Sequence, residues 1–179
     1  RKGGDDMMVS YQIFSGKLFQ EQGETLSEKL VWIKSPSFKM QKTILNADGN
    51  PILLSNVVLD ESKNKVYVLT DMQQRPIIRG TPQYAHNSDP KIHGWPISHA
   101  PRYDHVCFEY QKSKYQLQMR NAQNFIVKDG DGNTVMEIIH NGYAGGWSVD
   151  SNEKFSPAII LGIFIFTRYL DKENELYII

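Results

Sequence analysis

The chain has 179 residues with 20 Lys+Arg against 20 Asp+Glu, is 40% hydrophobic and 22% charged, and holds one cysteine. That length and composition fit a single globular domain. Zero net charge leaves no overall field to draw in nucleic acid, and one cysteine excludes an internal disulfide framework and favours a reducing compartment. The expected location is cytoplasmic, peripheral at a membrane if the ligand is a lipid. The chain begins at Arg1 rather than Met, as a trimmed or processed product would.

Residues 1–29 read as an N-terminal segment contributing an additional strand or helix, ahead of a main domain over 30–179. A hairpin pattern then recurs: "TILNADGNPILL" at 43–54, "YVLTDMQQRPII" at 67–78 and "FIVKDGDGNTVMEI" at 125–138. Each is an apolar strand, a polar turn rich in Asp, Asn, Gly or Gln, then Pro or Thr leading a second apolar strand. Between them, residues 80–105 carry several prolines and read as a long surface loop. "HVCFEY" and "YQLQMR" alternate apolar and polar positions, the period of strands with one face buried. The hairpins do not repeat at a fixed period, which argues against a solenoid and for a closed or sandwiched sheet.

The last element is "FSPAIILGIFIFTRYLDKENE" at 155–175. Ser156 and Pro157 form a helix start, since the serine oxygen can cap free amides and proline suits the first helical position. The apolar run from Ala158 to Phe166 is well short of the roughly 20 residues that a membrane-spanning helix needs. Ile159, Ile160, Ile163, Phe164 and Phe166 leave the helix without a polar face, so it must be surrounded by protein. The predicted fold is therefore mainly β, a closed antiparallel β-barrel wrapped around one central hydrophobic C-terminal α-helix.

"LVWIKSPSFKMQKTILNADGNPILLSNVV", "NKVYVLTDMQQRPIIRG" and "FIVKDGDGNTVMEIIHN", followed by the apolar helix, resemble in their order the LURP-one-related proteins of plants and microbes. The resemblance covers residues 30 to 171 and implies the tubby C-terminal-like fold shared with phospholipid scramblases. It departs at Arg168, where related helices end on an acidic residue, and in the loop at 80–105. By analogy with tubby-type domains, which bind phosphoinositide head groups through a lysine and an arginine on neighbouring strands, the resemblance implies a non-catalytic module for a lipid head group or a protein partner. The basic residues that would serve are Lys63, Lys65, Arg75, Arg79, Lys112 and Lys114. Two alternatives stand beside it: a scramblase-like lipid-handling protein whose C-terminal helix meets the bilayer, and a defence-related or structural interaction protein using Tyr84, Trp95 and Tyr103 of the loop.

Catalytic and metal chemistry find little support. "DGDGN" sets Asp129, Asp131 and Asn133 at calcium-loop spacing, but Thr134 stands where that loop needs glycine and His140 where it needs a bidentate glutamate. His86, His93, His99 and His105 lack the close pairing of zinc ligands. His105, Cys107 and Glu109 share one strand face at about 6.5 Å intervals, too far apart for a single metal, and a lone strand cysteine is ordinarily a small buried hydrophobe. No P-loop, G-x-S-x-G or H-E-x-x-H is present. Neither a cofactor, a metal nor a catalytic residue is expected.

Overall fold

A computed structural model describes residues 7–34, 40–84 and 103–175. Its strands are β1 (Met8–Phe14), β2 (Lys17–Gln22), β3 (Thr25–Leu26), β4 (Val31–Lys34), β5 (Lys42–Asn46), β6 (Pro51–Leu59), β7 (Lys65–Asp71), β8 (Pro76–Tyr84), β9 (Tyr103–Tyr110), β10 (Ser113–Asn121), β11 (Asn124–Asp129), β12 (Thr134–His140) and β13 (Trp147–Asn152). One helix, α1 (Pro157–Glu175), ends the described chain. Antiparallel pairing runs β1-β13-β12 and on through β5-β4-β2, and β2 pairs back onto β1, so twelve strands close a ring with β3 as a side ribbon on β2. Closure leaves no edge in the ring to template pairing with another chain.

The barrel begins at Met8, not at residue 30. β1 and β2 complete the ring, since β1 is laddered to β13 from Met8↔Asn152 to Ile13↔Trp147 and to β2 from Tyr11↔Gln20 to Phe14↔Lys17. A boundary at residue 30 would cut these backbone hydrogen bonds. The expected loop at 80–105 is also shorter than read, because β8 continues to Tyr84 and β9 starts at Tyr103.

The three hairpins share one turn, and the link at 60–64 is a fourth copy of it. In each five-residue turn the first residue's amide donates to the fifth carbonyl, and the fourth amide donates to the first carbonyl. The first side chain, Asn46, Asp60, Asp71 or Asp129, accepts the fifth amide through Oδ1 at 2.8–2.9 Å. The fourth residue sits in the left-handed region at φ 62–85°, and is Gly49, Lys63, Gln74 or Gly132.

α1 fills the barrel. Its apolar residues Ile160, Leu161, Ile163 and Phe166 are fully buried, and Ile159 and Phe164 are at most 6% exposed. Burial of each such side chain contributes about 1.5–3 kcal/mol. The ring's inner positions supply the other half of the core: Tyr67 packs on Phe166 and Tyr169 with centroids 5.7 and 5.2 Å apart, and Trp147 packs on Phe164 at 5.5 Å. Gly162 lets the helix approach β7, since a Cβ there would lie 2.6 Å from Leu69 Cδ2. No helix among the described residues is long and apolar enough to cross a membrane.

The helix runs from the end of the barrel holding the turns at 46–50, 71–75 and 129–133 to the end holding the turn at 60–64. Near its close, Tyr169 Oη hydrogen-bonds Ser55 Oγ at 2.9 Å and donates to the Met40 carbonyl. Burial pushes the Tyr169 phenol up to about 12, against the smaller lowering from Ser55. The hydroxyl therefore stays a donor well above neutral pH.

Ile163→Asp is expected to abolish cooperative folding, because a carboxylate in a closed apolar core costs more than a net stability of roughly 5–15 kcal/mol can absorb. A thermal transition near that of the unmutated protein would overturn the enclosed-helix packing. Lys63→Gly and Gln74→Gly are each expected to raise the urea midpoint. Relief of left-handed strain, about 1–2 kcal/mol, exceeds the glycine entropy cost of roughly 0.5–1 kcal/mol. A lowered midpoint in both would show that the strain is absent.

Candidate functional site

The six basic residues singled out in the sequence do not form one pocket. Lys65 faces into the barrel at the helix's C-terminal end, where its ammonium makes two contacts with Glu173 at 2.6 and 2.8 Å. Lys63 occupies the fourth position of the turn at that same end. Arg75 and Lys112 belong to turns at the opposite end, and Arg75 Nε donates to Asp71 at 2.7 Å. β7 alone, at about 3.3 Å per residue, separates Lys65 from the Arg75 turn by most of the barrel's height. The expected convergence of Lys65, Arg75 and Arg79 is thus not realised, because a hairpin's two ends lie at opposite rims.

Arg79 and Lys114 are brought together. The register that sets Gly80 opposite Phe108, and Lys114 opposite Glu109, places Arg79, Glu109 and Lys114 in one row across β8, β9 and β10. They point outward because the alternate positions Ile78, Phe108 and Tyr115 are buried inside. The next row carries Thr81, Cys107, Gln116 and Lys128. A cleft of about 440 Å³ lies over this surface, lined by Arg79, Cys107, Glu109, Lys114 and Gln116 and bounded by Asp129 and Gly130. Neither Arg79 nor Lys114 has a carboxylate within ion-pair distance among the described residues. Gln116 and Lys128 are contributions the sequence reading missed; the alternation of β10 and β11 carried that signal.

Cys107 is exposed on this outer face, against the expectation of a buried hydrophobe. The strand's inner positions are taken by Val106 and Phe108, so the residue between them must face out. The Gln116 amide nitrogen lies 3.9 Å from its Sγ. Along the same strand His105 Nδ1 is paired with Asp104 beside a second hollow of about 460 Å³ that includes Gln118 and Arg120. Of the aromatic contact set, Tyr84 closes β8 and Tyr103 opens β9. Trp95 lies outside the described residues, as do His86, His93 and His99.

"DGDGN" is a hairpin turn. Asp129 Oδ1 accepts the amides of Asp131 and Asn133 at 3.0 and 2.9 Å, and Oδ2 takes the Asn133 side chain. Among the described residues no three His, Cys, Asp or Glu side chains are grouped to hold a metal ion. Burial raises the Asp129 carboxyl, but the two amides and Lys154 outweigh it and the net shift is downward. Asp71 is lowered chiefly by the Arg75 amide, with its guanidinium and the Gln73 amide adding to it.

No protein-family model matches the sequence, and no curated protein matches it. Among solved structures, the chain is similar to an X-ray structure of a protein from Arabidopsis thaliana, with a TM-score of 0.52 and 14% identity over 94% of this chain and 93% of that one. At that identity the likeness shows the fold: a mainly β chain, closed as an antiparallel barrel, with one C-terminal helix.

The turn carboxylates make a pH prediction. Their folded-state pKa values are depressed below the ordinary value near 3.9, so their contribution to stability is complete above it and is lost as pH falls through the lower folded-state value. The urea midpoint should drop on acidification below about pH 4, with a shallower drop in Asp71→Asn/Asp129→Asn. An asparagine oxygen accepts the same amides without titrating, as Asn46 does in the first turn. An acid slope unchanged in the double variant would place the titration elsewhere.

Proposed function

We propose that this protein is a non-catalytic binding module of the LURP-one-related, tubby-like type, and that the outer face of β8–β11 receives an anionic head group, a phosphoinositide in the leading case. The row Arg79–Glu109–Lys114 carries the reading: two cations flank a cleft with no ion pair to satisfy them among the described residues, and Lys128 follows in the next row. Arg79 offers a planar fork and Lys114 a mobile point charge, a combination suited to phosphate oxygens. Glu109 offsets one of the three charges and would favour a ligand that also presents hydroxyl donors, as an inositol ring does.

Two further observations favour an external site over internal chemistry. Among the described residues the lumen is occupied by α1, where ligand-carrying barrels keep an interior chamber. The reading in which the C-terminal helix meets a bilayer needs apolar helix residues at a surface, whereas Ile159 to Phe166 face the barrel's inner wall.

Each basic group near an anionic surface contributes about 1 kcal/mol, fading beyond a Debye length of roughly 8 Å at physiological salt. Sedimentation with phosphoinositide vesicles should therefore show affinity no tighter than micromolar that weakens steeply with salt. Arg79→Glu and Lys114→Glu should each reduce it by more than about tenfold, since repulsion replaces attraction. Lys63→Glu and Arg75→Glu, at the two rims, should change it far less. Salt-insensitive binding shared by all variants, or no binding beyond the phosphatidylcholine control, would discard the proposal.

A further inference from the structure

A second cationic locus lies at the barrel mouth where α1 ends, remote from the outer cleft. Lys42 opens β5 on its inward face: it is opposite Ser55 in the register, and Ser55 is the fully buried hydroxyl bonded to Tyr169. Lys172 comes down from the last turns of α1, its ammonium 4.0 Å from the sulfur of Met40, two residues before Lys42. The two lysines thus approach the same spot from the sheet and from the helix.

Among the described residues no ion pair neutralises them. β4, β5 and β6, with sequences VWIK, KTILN and PILLSNVVL, contain no acidic residue. Of the acids on α1, Glu173 is taken by Lys65 at 2.6 Å and Asp171 stands 3.7 Å from Arg168, while the side chain of Glu175 lies outside the described residues. No ion pair of Lys42 or Lys172 occurs among the described residues. The helix C-terminus places roughly half a negative charge nearby, which is too little to balance two full positive ones. The cost is visible at Lys42, whose ammonium is held below its usual range by burial first and by the Lys172 charge second.

We propose that Lys42 and Lys172 together hold a phosphate group at this mouth, clamping the end of α1 to β5. Two ammonium groups act as point charges matched to a phosphate carrying between one and two negative charges, and the bridged anion converts their repulsion into attraction. The phosphate could belong to a free ion or to a lipid head group, and the two are separated by the test. The proposal does not rest on the outer-face reading, because none of its residues is shared with that cleft.

Isothermal titration with inorganic phosphate, at ionic strength matched with sodium chloride, measures the site directly. Saturable binding is expected, reduced by about tenfold or more in Lys42→Gln and in Lys172→Gln and unchanged in Arg75→Gln, in the turn at the opposite rim. Thermal melts of both glutamine variants check that they fold, and loss of the repulsion should leave them at least as stable as the unmutated protein without phosphate. Vesicles of phosphatidic acid and phosphatidylcholine form the second arm. Binding to phosphatidic acid that is lost in Lys42→Gln supports the proposal and assigns the phosphate to a membrane; phosphate binding without vesicle binding supports it and assigns a soluble source. Equal affinities in folded wild-type and glutamine variants, or no heat beyond that of chloride, would overturn it.

Discussion

The barrel depends on one packing relation, the insertion of an all-apolar helix into a ring of strands too wide to fill itself. A ring of about eight strands can close its interior with its own side chains, while larger rings leave space. Here twelve strands enclose α1, whose width with side chains is about 10–12 Å. Neither element is stable alone: the helix would expose isoleucine and phenylalanine on every side, and the ring would be hollow. Gly162 against Leu69 is where this fit admits no added carbon without movement, and a Cβ at Gly80 would collide with Val106 of the next strand at 2.6 Å while only touching Phe166 at 3.5 Å. Strand pairing sets the ring's circumference, and the helix sets what that circumference must contain.

Polar contacts fix the helix lengthwise. At its C-terminal end the Lys65–Glu173 pair and the Tyr169 hydroxyl tie α1 to β7, β6 and the segment before β5. Glu173 is an acid in the last turn of a helix, where the dipole disfavours negative charge, and it is nearly buried. Its bidentate contact with Lys65 offsets that cost and makes Lys65 a structural residue. Arg168 plays a related part on another side: its guanidinium lies 4.2 Å from the Trp147 ring centroid, over an aromatic face that also includes Phe125 and Phe164. The departure from an acidic helix end noted in the sequence therefore has a packing role, a cation seated on the inner aromatic wall.

Much of this fold was legible in the residues because its signals are local. Ser156-Pro157 marked the helix start, the unbroken apolar run marked burial, Asp or Asn with Gly marked two of the five-residue turns, and the polar run from Asp71 into Pro76 marked a third. The fourth, at 60–64, has neither glycine at its left-handed position nor a Pro or Thr leading the next strand, and so reads as an ordinary polar link, although Asp60 and Asn64 stand where their counterparts do. The N-terminal strands carried a signal too: Tyr11 and Ile13 alternate toward the core, and Ser15-Gly16 supplies the positive φ values of a tight turn. What no local pattern could show was that β1 pairs with β13, since a ladder between residues 8 and 152 is decided by ring closure.

The candidate sites were less legible for the same reason. Which basic side chains meet depends on register and on the rim to which each turn belongs, and both are set by the whole ring. Lys65 and Arg75 are ten positions apart in sequence and lie at opposite rims, whereas Arg79 and Lys114, thirty-five positions apart, fall in one outward row. A filled lumen confines recognition to the outer wall and the two mouths, and each has chemistry the other lacks. The outer face mixes the cations of one row with Glu109 and with the Gln116 amide of the next, which suits a ligand bearing both phosphate and hydroxyl groups. The mouth between β5 and α1 is cationic and acid-poor along three consecutive strands, which suits a compact anion. Because that mouth is where the helix is fastened, an anion there would act on the stability of the barrel as well as on binding, and the outer cleft, resting only on strands, would not.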